Sequence, residues 1–63
     1  MNKMNRIKDI ITTSETKEIT IFNTHNKYVT QDFVGRANDV LGIYGSEYVV
    51  TVEENEQGID IFI

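Results

Sequence analysis

The sequence predicts an α+β fold: a small antiparallel sheet of three or four strands, packed on one face by an N-terminal helix and a central amphipathic helix over about residues 31–43. Three observations lead there. Apolar residues recur at helical spacing in residues 3–12 and from Phe33 to Tyr44. β-Branched residues dominate short runs at 18–22, 47–53 and 59–63, bounded by turn-forming clusters. The 63 residues hold no repeat, linker or low-complexity tract, so these elements form one domain, residues 1–63.

Met4, Ile7, Ile10 and Ile11 lie three and four apart, with Lys3, Arg6 and Lys8 elsewhere, which makes 3–12 an amphipathic helix. Three turns are unstable alone in water, so this helix has to dock. Thr12-Thr13-Ser14-Glu15-Thr16 has no periodicity and serves as a connection. In Glu18-Ile19-Thr20-Ile21-Phe22, Ile19 and Ile21 share one face of a strand, and Thr20 and Phe22 the other. Asn23-Thr24-His25-Asn26 is a turn, and Lys27-Tyr28-Val29 the returning strand of a hairpin.

Thr30 offers an N-cap oxygen, and Asp32 sits in the first helical turn, where its charge suits the dipole. Phe33, Val34, Ala37, Val40, Leu41 and Tyr44 then build an apolar stripe. Asp32 and Arg36, four apart on the wet side, form a pair contributing about 0.2–0.5 kcal/mol. Gly42 or Gly45 supplies a left-handed C-cap. Tyr48, Val50 and Val52 share one face of the next strand, Glu54–Gly58 turns, and Ile59, Ile61 and Ile63 face inward on the last strand. So apolar a final strand must be central in the sheet or pair with another subunit.

The chemistry-bearing residues are few. With no cysteine there is no disulfide and no thiolate zinc site, and His25 cannot build a histidine site alone. Glu53, Glu54, Glu56 and Gly58 lack the ligand spacing of an EF-hand loop. Ser14 and Ser46 lie in connecting segments, and a domain this small can hardly enclose a converging triad. The expectation is a protein that is not an enzyme and carries no cofactor. Gly42-Ile43-Tyr44-Gly45 after a helix resembles the Gly-x-x-Gly loop of the KH RNA-binding module, over Leu41 to Ser46. That loop normally carries basic residues and leads into a second helix. Here Ile43 and Tyr44 occupy its centre and a strand follows, so the glycines serve as helix terminators.

Charge and size point to partners. Residues 1–13 hold three cations against one acid, and residues 14–63 hold three against nine, within a net charge of −4. An acidic body repels phosphate, so nucleic acid is not an expected partner, whereas a basic protein is. Glu53, Glu54, Glu56 and Asp60 are the candidate acidic patch for it. A domain this small buries only about 60% of the surface its unfolded chain exposes, so a homodimer is the expected reinforcement. Phe22 and Phe62, which point away from the Ile faces, and Ile63 are the candidates for self-association.

There is no run of about 18 apolar residues to span a membrane, and Met1–Arg6 lacks a signal peptide's apolar core, giving an expected cytoplasmic location. The bias toward Ile, Thr and Asn is that of AT-rich coding, as in low-GC bacteria and their phages. Together these features predict a small acidic regulator or inhibitor of a protein partner, encoded by a phage or other mobile element. Inhibitors of bacterial defence nucleases, anti-CRISPR proteins among them, are similar in size and charge. The alternatives are a nucleic-acid module using the first helix's cations and the tyrosines, and a structural subunit of a larger assembly.

Overall fold

Alternation of Ile with polar or aromatic residues gives two strands one greasy face each, and burying those faces together fixes the architecture. A computed structural model describes residues 5–63, in the order α1 (Ile7–Ile10), β1 (Glu18–Asn23), β2 (Thr30–Gly35), α2 (Ala37–Tyr44), β3 (Thr51–Glu54) and β4 (Gly58–Phe62). The four strands form one sheet in the order β2-β1-β4-β3. Two antiparallel hairpins, β1–β2 and β3–β4, are joined through a parallel β1–β4 pair, so the sheet is mixed where an antiparallel one was expected. Placing β4 in the middle hides the apolar final strand inside the chain's own sheet. That meets the first of the two demands its sequence allowed.

Ile19, Ile21, Ile59, Ile61 and Ile63 form the floor of the core, and Ile7, Ile11, Ala37 and Val40 from the helical side cover it. Ile7, Ile19, Ile21, Ile61 and Val40 are fully buried. Each such side chain contributes on the order of 1.5–3 kcal/mol relative to exposure. Both helices therefore sit on one face of the sheet. Close approach demands glycine at two points. A Cβ on Gly58 would lie 2.6 Å from the Glu18 carbonyl oxygen across the parallel ladder, and one on Gly45 would lie 2.5 Å from that of Leu41.

Four local expectations give way to sheet pairing. The N-terminal helix shrinks to one turn: Arg6 is extended at φ −88°, ψ 159°, and so is Ile11 at φ −115°, ψ 134°. Backbone bonds from Ile7 N–H to Glu47 O (3.0 Å) and from Val49 N–H to Asn5 O (2.8 Å) hold the chain at Arg6 extended beside 47–49 instead. Met4 and Lys3 lie outside the described residues. The return strand begins at Thr30, leaving Tyr28 and Val29 exposed in a longer loop. It runs through Phe33 and Val34, so the central helix starts only at Ala37. The expected Asp32–Arg36 pair is consequently absent. Asp32 marks a bulge in the β1–β2 ladder and accepts bonds from Asn23 (3.1 Å) and Thr30 (3.2 Å), while Arg36 donates to the Thr16 carbonyl.

The α2 C-cap is Gly45, but at φ −54°, ψ −31° it is right-handed, and no described glycine has positive φ. Nor does 47–53 form one strand. Tyr48 makes an isolated bridge to Arg6, and the ladder to β4 starts at Thr51. Val49 packs against the core, while Tyr48, Val50 and Val52 are all exposed.

Candidate functional site

The face of the sheet opposite the helices carries every second residue of the strands. Phe22, on β1, lies abreast of Phe62, on β4, in the parallel ladder. Their rings stack with centroids 4.9 Å apart and planes 16° apart. That separation is the inter-strand spacing itself, so register alone brings the rings face to face. Both are half-buried, because each hides one ring face of the other. Gln31 and Thr51 extend this row onto the edge strands.

The next row is acidic. Asp60 stands between Thr20 on β1 and Glu53 on β3, and Val34 of β2 completes the row. Glu18 follows two residues before Thr20 on the same face. Directly opposed carboxylates on neighbouring strands have Cβ atoms about 4.5–5.5 Å apart and repel. Among the described residues, the ion pair within 4 Å is Lys17–Glu54 at 2.7 Å, and it lies elsewhere. The Glu53–Asp60 opposition is thus maintained against local stability.

Of the expected acidic patch, Glu53 and Asp60 come together on this face. Glu54 sits opposite Ile59, on the helical side, where Lys17 holds it and also bonds the Asn55 carbonyl at 3.1 Å. Glu56 occupies the β3–β4 turn, which Asn55 closes by accepting from Gln57 N–H and Gly58 N–H, both at 2.9 Å. Glu18, one row further along β1, joins the acidic face without having been expected to. Its membership depends on the parallel β1–β4 register, for which no local sequence signal exists.

Of the self-association candidates, Phe22 and Phe62 share the uncovered face, but Ile63 is only 4% exposed and belongs to the core. Its carbonyl oxygen accepts bonds from the Thr24 backbone (2.7 Å) and hydroxyl (2.8 Å), which pin the strand end. Ile63 therefore presents no side chain to a second copy.

The helical side offers a smaller feature. Ile10, Ile11, Val52 and Ile59 line a groove of about 290 Å³, rimmed by Glu15 and Glu54. Arg6 donates to the Tyr48 hydroxyl at 3.0 Å and lies over the ring at 4.9 Å from its centroid. The hydrogen bond to Tyr48 raises the Arg6 pKa further, so this cation stays charged and engaged. His25 is exposed, with its backbone N–H on Asn23 Oδ1 at 2.8 Å. Among the described residues, no three His, Asp or Glu side chains cluster to hold a metal ion, and no helix is long and apolar enough to cross a membrane.

No protein-family model, curated protein or solved structure matches this chain.

Proposed function

We propose that this protein is a non-enzymatic binding protein that regulates or inhibits a basic protein partner through the uncovered face of its sheet. The observation that carries this is the juxtaposition, on one face, of the Phe22–Phe62 stack with the opposed pair Asp60 and Glu53, and with Glu18 one row further along β1. An aromatic centre beside a charged margin is the composition of a protein interface. The apolar part supplies affinity, and the charges supply steering and choice of partner. Opposed carboxylates held against their own repulsion favour a cationic counterpart, such as a groove that otherwise takes nucleic acid. A cytoplasmic setting in a low-GC bacterium or its phage fits the composition.

The test is capture from the native host with Glu53→Lys/Asp60→Lys, compared with the parent chain. Helical and sheet circular dichroism should be unchanged. The parent should retain a basic protein that elutes as salt rises and that nucleic acid displaces, and the variant should retain none. Equal capture by both would refute the role of this face.

A second arrangement, a two-fold homodimer through the same face, is favoured by the Phe22–Phe62 pair alone. It brings two copies of net charge −4 together, so added salt tightens it. Salt weakens the heteromeric complex. The sign of the salt effect separates the two.

A further inference from the structure

β3 is an edge strand, and its outer backbone groups follow from the turn it leads into. Asn55 N–H donates to Gly58 O at 2.9 Å, so alternation along an antiparallel pair turns Thr51 and Glu53 toward β4. The N–H and C=O groups of Val52 and Glu54 then face away from the sheet. Among the described residues nothing pairs with them. Among the described residues, this side is used upstream, where Asn5 meets Val49 and Arg6 meets Tyr48. The opposite edge, β2, is interrupted by the bulge at Asp32, whereas β3 pairs with β4 in unbroken register from Thr51 to Glu54. A bulge discourages pairing at an edge, whereas the continuous register of β3 leaves its outer backbone groups in line for a strand whose charge suits Glu53 and Glu54.

Beneath this edge lies the groove of Ile10, Ile11, Val52 and Ile59, in which Val52 is 40% exposed and Ile10 37%. Above it, on the opposite face, stand Glu53 and Asp60. A fifth strand laid along β3 would present alternate side chains to these two environments: one set to the apolar groove, the other to carboxylates. We infer that β3 receives an extended segment of a partner protein in which basic and apolar residues alternate. The inference rests on the reading of the chain as a binder of basic proteins and names the part of the partner that is bound. Charge selects this occupant over a second copy of β3, which would bring Glu53 and Glu54 toward their own counterparts.

The probe is a short capped peptide alternating Lys and Val, compared with a block isomer of the same composition and titrated into the full chain. The alternating peptide should bind more tightly than the isomer and slow hydrogen exchange at the Val52 and Glu54 amides. Val52→Pro removes an outward N–H that β4 does not use and should weaken binding about tenfold or more, the worth of one or two hydrogen bonds. Glu53→Lys leaves the backbone intact and should weaken it as well, so a folding defect in the proline variant cannot decide the matter. Equal affinity for the two isomers, unaffected by Val52→Pro and with shifts centred on Phe22 and Phe62, would overturn the edge inference and leave the basic-partner reading standing. Failure of the alternating peptide to bind would also overturn it, as would Val52 and Glu54 amides already protected in the free protein. The capture experiment with Glu53→Lys/Asp60→Lys judges the broader reading separately.

Discussion

Two glycines of this chain should respond in opposite directions to the same substitution. Gly42 lies inside α2 with nothing within 4 Å of an added Cβ, so Gly42→Ala should stabilise by about 0.5–1 kcal/mol through backbone entropy. For a domain this small, that raises Tm by roughly 2–8 °C. At Gly58 the new Cβ would press on the Glu18 carbonyl, so Gly58→Ala should destabilise by about 1–3 kcal/mol, read from the urea midpoint. Glu53 gives a third residue-level prediction. Replacing it with Lys opposite Asp60 exchanges repulsion for attraction and should add about 0.2–1 kcal/mol to stability. The same change should remove partner binding. A surface that gains stability as it loses binding is one held for recognition, and thermal melts beside binding assays will show whether the two move apart.

At the scale of elements, strand faces were legible because a period of two is a local property of the chain. Ile19 with Ile21, and Ile59 with Ile61 and Ile63, point inward as their alternation required, and Phe22 and Phe62 point outward. The start of α2 was not legible. Phe33 and Val34 satisfy a helical stripe and a strand alternation equally, and Thr30 suits an N-cap or a strand. Only pairing with β1 decides between them, placing Phe33 opposite Ile21 and Val34 opposite Thr20. Phe33 still reaches Tyr44, with ring centroids 5.7 Å apart, so the stripe keeps one of its contacts in a different backbone. The single-turn α1 has a similar origin, since β-branched Ile residues are weak helix formers and an extended partner was available at 47–49. The site was half legible. Composition and facing bring Glu53, Asp60, Phe22 and Phe62 to one candidate face, while Glu18 needed a non-local register and Glu54, next to Glu53 in the strand, alternates to the helical side, where Lys17 holds it. The sheet's centre predicts its own weak point. Ile61→Ala should cost about 2–5 kcal/mol, comparable with the whole stability of so small a core, and leave the chain largely unfolded by circular dichroism. Ile43→Ser, on the exposed side of α2 at 61% exposure, should change stability by less than about 0.5 kcal/mol.

For the whole molecule, the structure removes one argument for self-association and leaves another. The apolar final strand is hidden between β1 and β3, so it does not call for a second copy. The uncovered face with its aromatic pair still does, unless a different protein occupies it. Sedimentation at low and high ionic strength distinguishes the two, because like-charged copies associate better as salt screens them. The expected outcome is that the free chain self-associates more as salt rises, and that the basic partner displaces the second copy at low salt. The central claim is that this partner sits on the sheet and not on the helices. Its most direct measurement is an amide chemical-shift map of the labelled protein titrated with the captured partner. Shifts concentrated on the sheet, at Phe22, Asp60 and Phe62 on its uncovered face and at Val52 and Glu53 along β3, are the predicted result. Shifts confined to α2 around Asn38, Asp39 and Ile43, with the sheet unperturbed, would contradict it.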